Sequence, residues 1–143
     1  MHGEVDESQP WLEMNPADMA HHLSRRARGL PLWFSLATHG TDAYADAVER
    51  TLKVTQQGAD EIRARPYLEL LLEPDLSILV FRRLGWTPED YQRWSDQQLY
   101  SGESFIVPSS WNGETVLRFC IVNPRTRRQH LIEILDSLAP EES

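Results

Sequence analysis

Residues 112–126 read Asn-Gly-Glu-Thr-Val-Leu-Arg-Phe-Cys-Ile-Val-Asn-Pro-Arg-Thr, and no other stretch restricts the fold as strongly. Asn112 and Gly113 both tolerate positive φ, so they predict a type I′ turn between two antiparallel strands. The strand that follows, Glu114–Val122, alternates its side chains between two faces. Thr115, Leu117, Phe119 and Ile121 share one face; Val116, Arg118, Cys120 and Val122 share the other. Both faces are largely apolar, which predicts an inner strand covered on both sides. Arg118 is the exception. A buried guanidinium needs an anion, because an unpaired charge away from water is costly. Two anions are open to it: a carboxylate of this chain, or a ligand.

The chain has 143 residues, 41% of them apolar, with five Trp. That suits one folded domain with a real core. A net charge of −8 argues against a nucleic-acid partner, which calls for a basic face. Arg25-Arg26-Ala27-Arg28 and Arg125-Thr126-Arg127-Arg128 are local basic clusters, by default solvated faces or anion contacts. Cys120 is the only cysteine, so no internal disulfide forms and a reducing, cytoplasmic compartment is expected. No N-terminal signal pattern and no apolar run of about 18 residues is present, so no membrane span is expected. Lys53 is the only lysine.

Met1–Gln9 is acidic and polar and reads as a tail. Pro10–Met19 places Trp11, Leu12, Met14 and Met19 around Pro16 without a clean period, as an irregular segment pinned by apolar side chains. His21 and His22 are adjacent and point apart, so they make poor metal co-ligands. Ser24 stands as an N-cap before the basic cluster. Pro31 opens a short helix to His39, which Gly40 closes. A second helix from Thr41 or Asp42 carries a stripe of Tyr44, Val48, Leu52, Ala59 and Ile62, and Pro66 stops it. Lys53 lies off this stripe and reads as a solvated surface residue.

Tyr67–Glu73 and Leu76–Arg83 are two short apolar strands joined at Pro74-Asp75. Thr87 as N-cap, Pro88 at N1 and Glu89 and Asp90 in the first turn start a helix that ends near Gly102. Trp86 and Tyr91 occupy its hydrophobic-staple positions. Phe105-Ile106-Val107 forms a third strand, marked as an edge by Pro108. After the fourth strand, Thr126 with Gln129 forms a capping box for a last helix burying Leu131, Ile134, Leu135 and Leu138. The order α-α-β-β-α-β-β-α predicts an α+β fold: a four-stranded, mainly antiparallel sheet with helices packed on it. By range, 1–22 is a tail or irregular segment, 23–139 the α+β domain and 140–143 a tail.

These segments carry a resemblance. Leu23-Ser24-Arg25-Arg26-Ala27-Arg28-Gly29-Leu30-Pro31-Leu32-Trp33 resembles the stretch that opens the C-terminal region of the pyridoxal-phosphate-dependent group II amino-acid decarboxylases, which include the aromatic-amino-acid and histidine decarboxylases. Pro74-Asp75-Leu76-Ser77 with Phe81-Arg82, then Gly113–Cys120 and Asn123-Pro124-Arg125-Thr126, are similar to that region in the same order. The resemblance runs from about Leu12 to Leu138 and reaches only the family's C-terminal end. It implies the C-terminal small domain of a fold-type I pyridoxal-phosphate enzyme. It implies that Ser24 lies beside the substrate side chain and Arg118 at the substrate end of the cofactor pocket. Arg25 and Arg26 match an arginine pair that is structural and inter-domain.

The same resemblance implies a carboxy-lyase acting on an amino acid, a homodimer, and a large cofactor-binding domain or subunit as partner. The family's Schiff-base lysine, and the aspartate that pairs the pyridine nitrogen, lie upstream of the matching region. The expectation is therefore one part of an enzyme, inactive alone, with no catalytic residue of its own and no cofactor held covalently. Pro31 departs from a position where many relatives carry a helix former. The competing reading is a free-standing, non-catalytic α+β module that binds a ligand or regulates. A Cys120–His130 nucleophile pair is disfavoured, since an apolar strand opposes a thiolate.

Overall fold

A computed structural model of the chain describes residues 26–140. Trp11, Met14, Met19, His21, His22 and Ser24 lie outside the described residues. The chain divides into two compact units, Met1–Thr38 and His39–Ser143.

In the first unit, Leu30 N–H bonds to Ala27 O at 3.0 Å and opens helix α1 (Gly29–Arg63). Pro31 falls in its first turn, where a missing N–H costs nothing because no intrahelical acceptor is available there. The departure at this position is therefore compatible with a helix. Leu30, Leu32, Trp33 and Phe34 are all more than half exposed, Trp33 at 60%, with the Trp33 and Phe34 rings edge to face at 5.0 Å. Gly40 interrupts α1 with φ 76° and ψ 164°, a conformation open to glycine.

The second unit has the α+β architecture the sequence predicts. Strands β1 (Leu68–Leu70), β2 (Ile78–Arg83), β3 (Ser109–Trp111) and β4 (Glu114–Cys120) form one antiparallel sheet in the order β1-β2-β4-β3. Asn112 (φ 50°) and Gly113 (φ 82°) make the expected turn between β3 and β4. In the β2–β4 ladder Leu79 faces Phe119 and Phe81 faces Leu117. Their side chains, with Ile62, Leu131, Leu135 and Leu138, fill the core between one sheet face and the helices. The rings of Phe81 and Phe119 meet at 4.9 Å, edge to face.

Helix α2 (Pro88–Ser101) starts and stops where its caps predict. Thr87 N–H bonds to Asp90 Oδ2 at 2.9 Å, Trp86 stacks edge-on against Tyr91 at 5.3 Å, and Gly102 takes φ 75°. Helix α3 (Arg128–Asp136) begins one residue later than the sequence suggests. Arg127 is its N-cap, and its N–H bonds to His130 Nδ1 at 3.3 Å. Thr126 is held outside the helix because its N–H is taken by Asn123 O, in a turn that Asn123 Oδ1 closes on Arg125 N.

Three further expectations change. The buried residues of α1 are Thr51, Thr55, Gly58, Ala59 and Ile62, while Tyr44 and Val48 are exposed. Two threonines can enter the core because their hydroxyls bond back to Val48 O (2.7 Å) and Thr51 O (2.8 Å) of the same helix. Gly58 belongs there because an added Cβ would lie 2.7 Å from Leu79 Cδ1 and 2.8 Å from Leu131 Cδ1. Residues 105–107 are not a strand; β3 begins only after Pro108. Ser95 Oγ donates to Ile106 O at 2.7 Å and draws that segment toward α2, with Ile106 buried. Finally, β4 is internal, but its second face is covered only in part: Val116 and the cross-strand Val80 are buried there. Arg118 and Cys120 are exposed, Ile78 is 48% exposed, and Val122, just past the strand, is 77% exposed. Among the described residues no helix is long and apolar enough to cross a membrane.

Charge clamps α1 to α3. Glu61 accepts from Arg65 Nη1 at 2.8 Å and from Arg128 Nε at 2.8 Å, and Arg65 also reaches Asp136 at 2.5 Å. The Arg65 hydrogen bond, then the Arg128 one, hold the Glu61 carboxyl below the ordinary glutamate value. A folded-state pKa below the unfolded one stabilises above the ordinary glutamate range, and that contribution vanishes as pH falls through the depressed value. Glu61→Gln should therefore flatten the decline of the urea midpoint between about pH 7 and about pH 3. An unchanged pH slope would show that the clamp carries no linkage. Gly58→Val should cost about 1–3 kcal/mol in the same unfolding assay, through overpacking against Leu79 and Leu131.

Candidate functional site

The open sheet face carries the chain's chemistry. By strand alternation it presents Glu69 of β1, Ile78, Val80 and Arg82 of β2, and Glu114, Val116, Arg118 and Cys120 of β4. Val80 and Val116 are buried yet stand outside the apolar core of the opposite face. Two arginines share this surface and differ in one respect. Arg82 Nε donates to Glu69 Oε2 at 2.9 Å, and its Nη1 pairs with Glu114. These two hydrogen bonds, the Glu69 bond first, raise its pKa further. Arg118 faces Val80 across the ladder, is exposed, and has no ion pair or side-chain hydrogen bond among the described residues.

The internal ion pair considered for Arg118 is therefore absent among the described residues. The premise of a buried guanidinium also fails. The open face hydrates the charge, so no carboxylate is required. Cys120 shares that exposure, so the apolar burial invoked against a thiolate does not hold. His130 caps α3 and is occupied by Arg127 N–H.

Beside Arg118 lies a groove of about 430 Å³. Its walls are β4 from Arg118 to Ile121, the segment Ser104–Val107, Thr126, and Leu131 and Ile134 of α3. Phe105, Ile106 and Thr126 were not legible as groove residues. The usable signal was Pro108, which ends the β3 ladder and lets the preceding segment swing away. A larger cavity of about 610 Å³ is lined by Glu103, Glu133, Asp136, His130, Gln98 and Ile134. Three carboxylates make it unsuited to an anionic group.

Of the residues singled out for substrate, Arg118 stands on the open face and Ser24 lies outside the described residues. Lys53 is exposed on α1 and lines neither cavity described above. No group of three or more His, Cys, Asp or Glu side chains among the described residues could hold a metal ion. Among the described residues, no side chains gather around Lys53 in a way that fits pyridoxal phosphate as a resident group. The single lysine opens on solvent, and neither cavity described above brings it together with Arg118.

No family model matches the chain. It is 35% identical over 110 residues to an L-2,4-diaminobutyrate decarboxylase of Acinetobacter baumannii, covering 71% of this chain and 21% of that protein. It is 24% identical over 130 residues to an aromatic-L-amino-acid decarboxylase of Bacillus atrophaeus, covering 86% and 27%. The solved glutamate decarboxylase domain of a Vibrio parahaemolyticus diaminobutyrate-pyruvate transaminase and L-2,4-diaminobutyrate decarboxylase superposes with a TM-score of 0.71 at 27% identity, covering 84% of this chain and 27% of that one. An Oryza sativa TDC with PLP and tryptamine shares the fold with a TM-score of 0.72 at 19% identity. The fold is thus the α+β domain found in solved amino-acid decarboxylases. In sequence and fold the chain resembles the C-terminal region of the group II pyridoxal-phosphate-dependent amino-acid decarboxylases, and its relatives belong to that family. It spans about a quarter of the length of the curated relatives it matches, 21% and 27% for the two above.

Because Arg118 and Cys120 are exposed and Arg118 has no ion pair among the described residues, both should behave as surface groups. Arg118→Gln should change stability by less than about 0.5 kcal/mol. Cys120 should react fully with a water-soluble disulfide reagent in the absence of denaturant. A thiol silent until unfolding would mean that the face is covered in solution.

Proposed function

We propose that this chain is the C-terminal part of a pyridoxal-phosphate-dependent amino-acid carboxy-lyase, the cofactor being supplied by a large domain or subunit outside this sequence. The observation that carries the reading is the partly open β2–β4 face, with Ile78 half exposed and Arg118 exposed and without an ion pair among the described residues. Helices seal the opposite face, whereas among the described residues no helix covers this one, as expected of a surface that closes on another domain. The limited share of each relative that the chain spans supports the same reading.

In the assembled enzyme the cofactor supplies the electron withdrawal that loosens the bond to the substrate carboxylate. This chain's part is positioning and water exclusion. Arg118 holds an anionic group of the substrate in a bidentate geometry, which a planar guanidinium suits better than an ammonium. Ser24 contacts the substrate side chain and tunes selectivity. Docking of the face removes water from around Arg118 and strengthens its hold on the anion. Leu30, Leu32, Trp33 and Phe34 are the second contact surface, toward the large domain or a dimer mate. The domain runs over 23–139, in the cytoplasm.

Positioning without an electron sink does not cleave a carbon–carboxylate bond, so the purified chain should release no CO₂ from L-2,4-diaminobutyrate or aromatic amino acids with pyridoxal phosphate added. It should self-associate through its exposed aromatic segment, with light scattering showing mass above the monomer. Reconstitution with a lysine-bearing large domain should restore activity, and Arg118→Gln should then lower kcat/KM by about tenfold or more. Stoichiometric pyridoxyl labelling of Lys53 after borohydride treatment, together with CO₂ release by the chain alone, would place the chemistry here and overturn the reading.

A further inference from the structure

The outer edge of β4 is paired over only part of its length. Leu71 N–H bonds to Val80 O at 2.9 Å, and Ile121 N–H bonds to Ser77 O at 2.8 Å. Main-chain groups of successive strand residues point alternately toward the two neighbouring strands. Leu117, Phe119 and Ile121 therefore turn their N–H and C=O groups to β2, while Val116, Arg118 and Cys120 turn theirs to the opposite edge. Strand β3 meets that edge only as far as Val116, which faces Ser109. Beyond it, continuation of the register would set Val107 opposite Arg118. The pull of Ser95 on Ile106 O carries that segment off the ladder instead. Among the described residues, no main-chain hydrogen bond reaches Arg118 N–H, Arg118 C=O or Cys120 N–H from this side.

The 430 Å³ groove is the wedge left by this divergence. One wall presents unpaired main-chain donors and acceptors at strand spacing; the others present Phe105, Ile106, Leu131 and Ile134. Matched donors and acceptors at that spacing are satisfied by extended polypeptide, and apolar walls receive its alternate side chains.

From this we propose that the Arg118–Cys120 edge is a strand-addition site that takes an extended, carboxylate-bearing segment of a partner polypeptide. The charge preference comes from register. The partner residue that exchanges hydrogen bonds with Arg118 projects its side chain on the same face as the unpaired guanidinium, where a carboxylate is favoured and a cation repelled. A second copy of this chain is disfavoured on the same ground, since symmetric pairing of two such edges brings their arginines together. The proposal rests on the strand edge, and because it draws on the guanidinium assigned above to the substrate anion, the two ligands compete for Arg118.

The test titrates the full chain, ¹⁵N-labelled, with the peptide acetyl-Thr-Val-Glu-Val-Thr-amide. Saturable movement of the Arg118 and Cys120 amide resonances is expected. N-methylation of the peptide's Glu nitrogen removes one ladder bond and should weaken binding about fivefold. Replacing that Glu by Lys should weaken it about threefold. In Arg118→Gln this Lys penalty should vanish while the N-methyl penalty remains. No saturable movement, equal binding of the N-methylated peptide, or movement confined to Ile78 and Val122 on the open face would overturn the proposal. So would protection of the Arg118 amide by self-association in the absence of peptide.

Discussion

The antiparallel pairing of β2 with β4 is the constraint on which the rest of the domain depends. It sets Leu79, Phe81, Leu117 and Phe119 side by side on one face, three of them completely buried. Burying a large apolar side chain yields about 1.5–3 kcal/mol, so this quartet alone supplies a substantial driving force. Each helix is placed by what it offers this surface. The part of α1 beyond Gly40 brings Gly58 close against Leu79 and Leu131; α3 brings Leu131 and Leu135; α2 brings Tyr91 and Trp94. The ladder also fixes the alternation that puts Arg118 on the other face, so packing and chemistry follow from one register.

The two faces obey different physics. On the helix side, polar groups enter only when satisfied. Tyr91 OH accepts from Arg83 N–H at 2.8 Å and donates to Arg83 O at 3.1 Å, and Trp94 Nε1 donates to Ser137 Oγ at 3.0 Å. On the open side, Arg82 is neutralised by its cross-strand glutamates while Arg118 is left to solvent. A guanidinium in water needs no partner for stability, so its position is available for recognition. The sheet that supplies this surface is held rigid by a sealed core behind it.

Much of the fold was legible because local chemistry left little choice. Asn112-Gly113 permits the positive φ that few other pairs tolerate, and Asp90 accepts the N–H of Thr87, the N-cap before Pro88. Both elements lie where the sequence puts them. The stripe of α1 was misplaced because threonine reads as polar, yet its hydroxyl can bond to its own helix and vanish into a core. Phe105–Val107 has strand composition but loses its ladder to a side chain from α2, a competition that no local pattern records.

The sequence by itself determined the helices and most of the strands, β3 excepted, the turn that aligns β3 with β4, and the two-faced pattern of β4. Those depend on dihedral preferences and on the period of side-chain direction, which belong to the chain locally. Tertiary structure decided which face the helices seal and that Arg118 is exposed, without an ion pair among the described residues. It also decided that β4's edge opens beyond Val116, since each of these depends on which distant groups reach the strand. An apolar residue reads alike whether a helix of this domain or another polypeptide covers it. The pattern along β4 announced two buried faces, and the domain's own helices cover one.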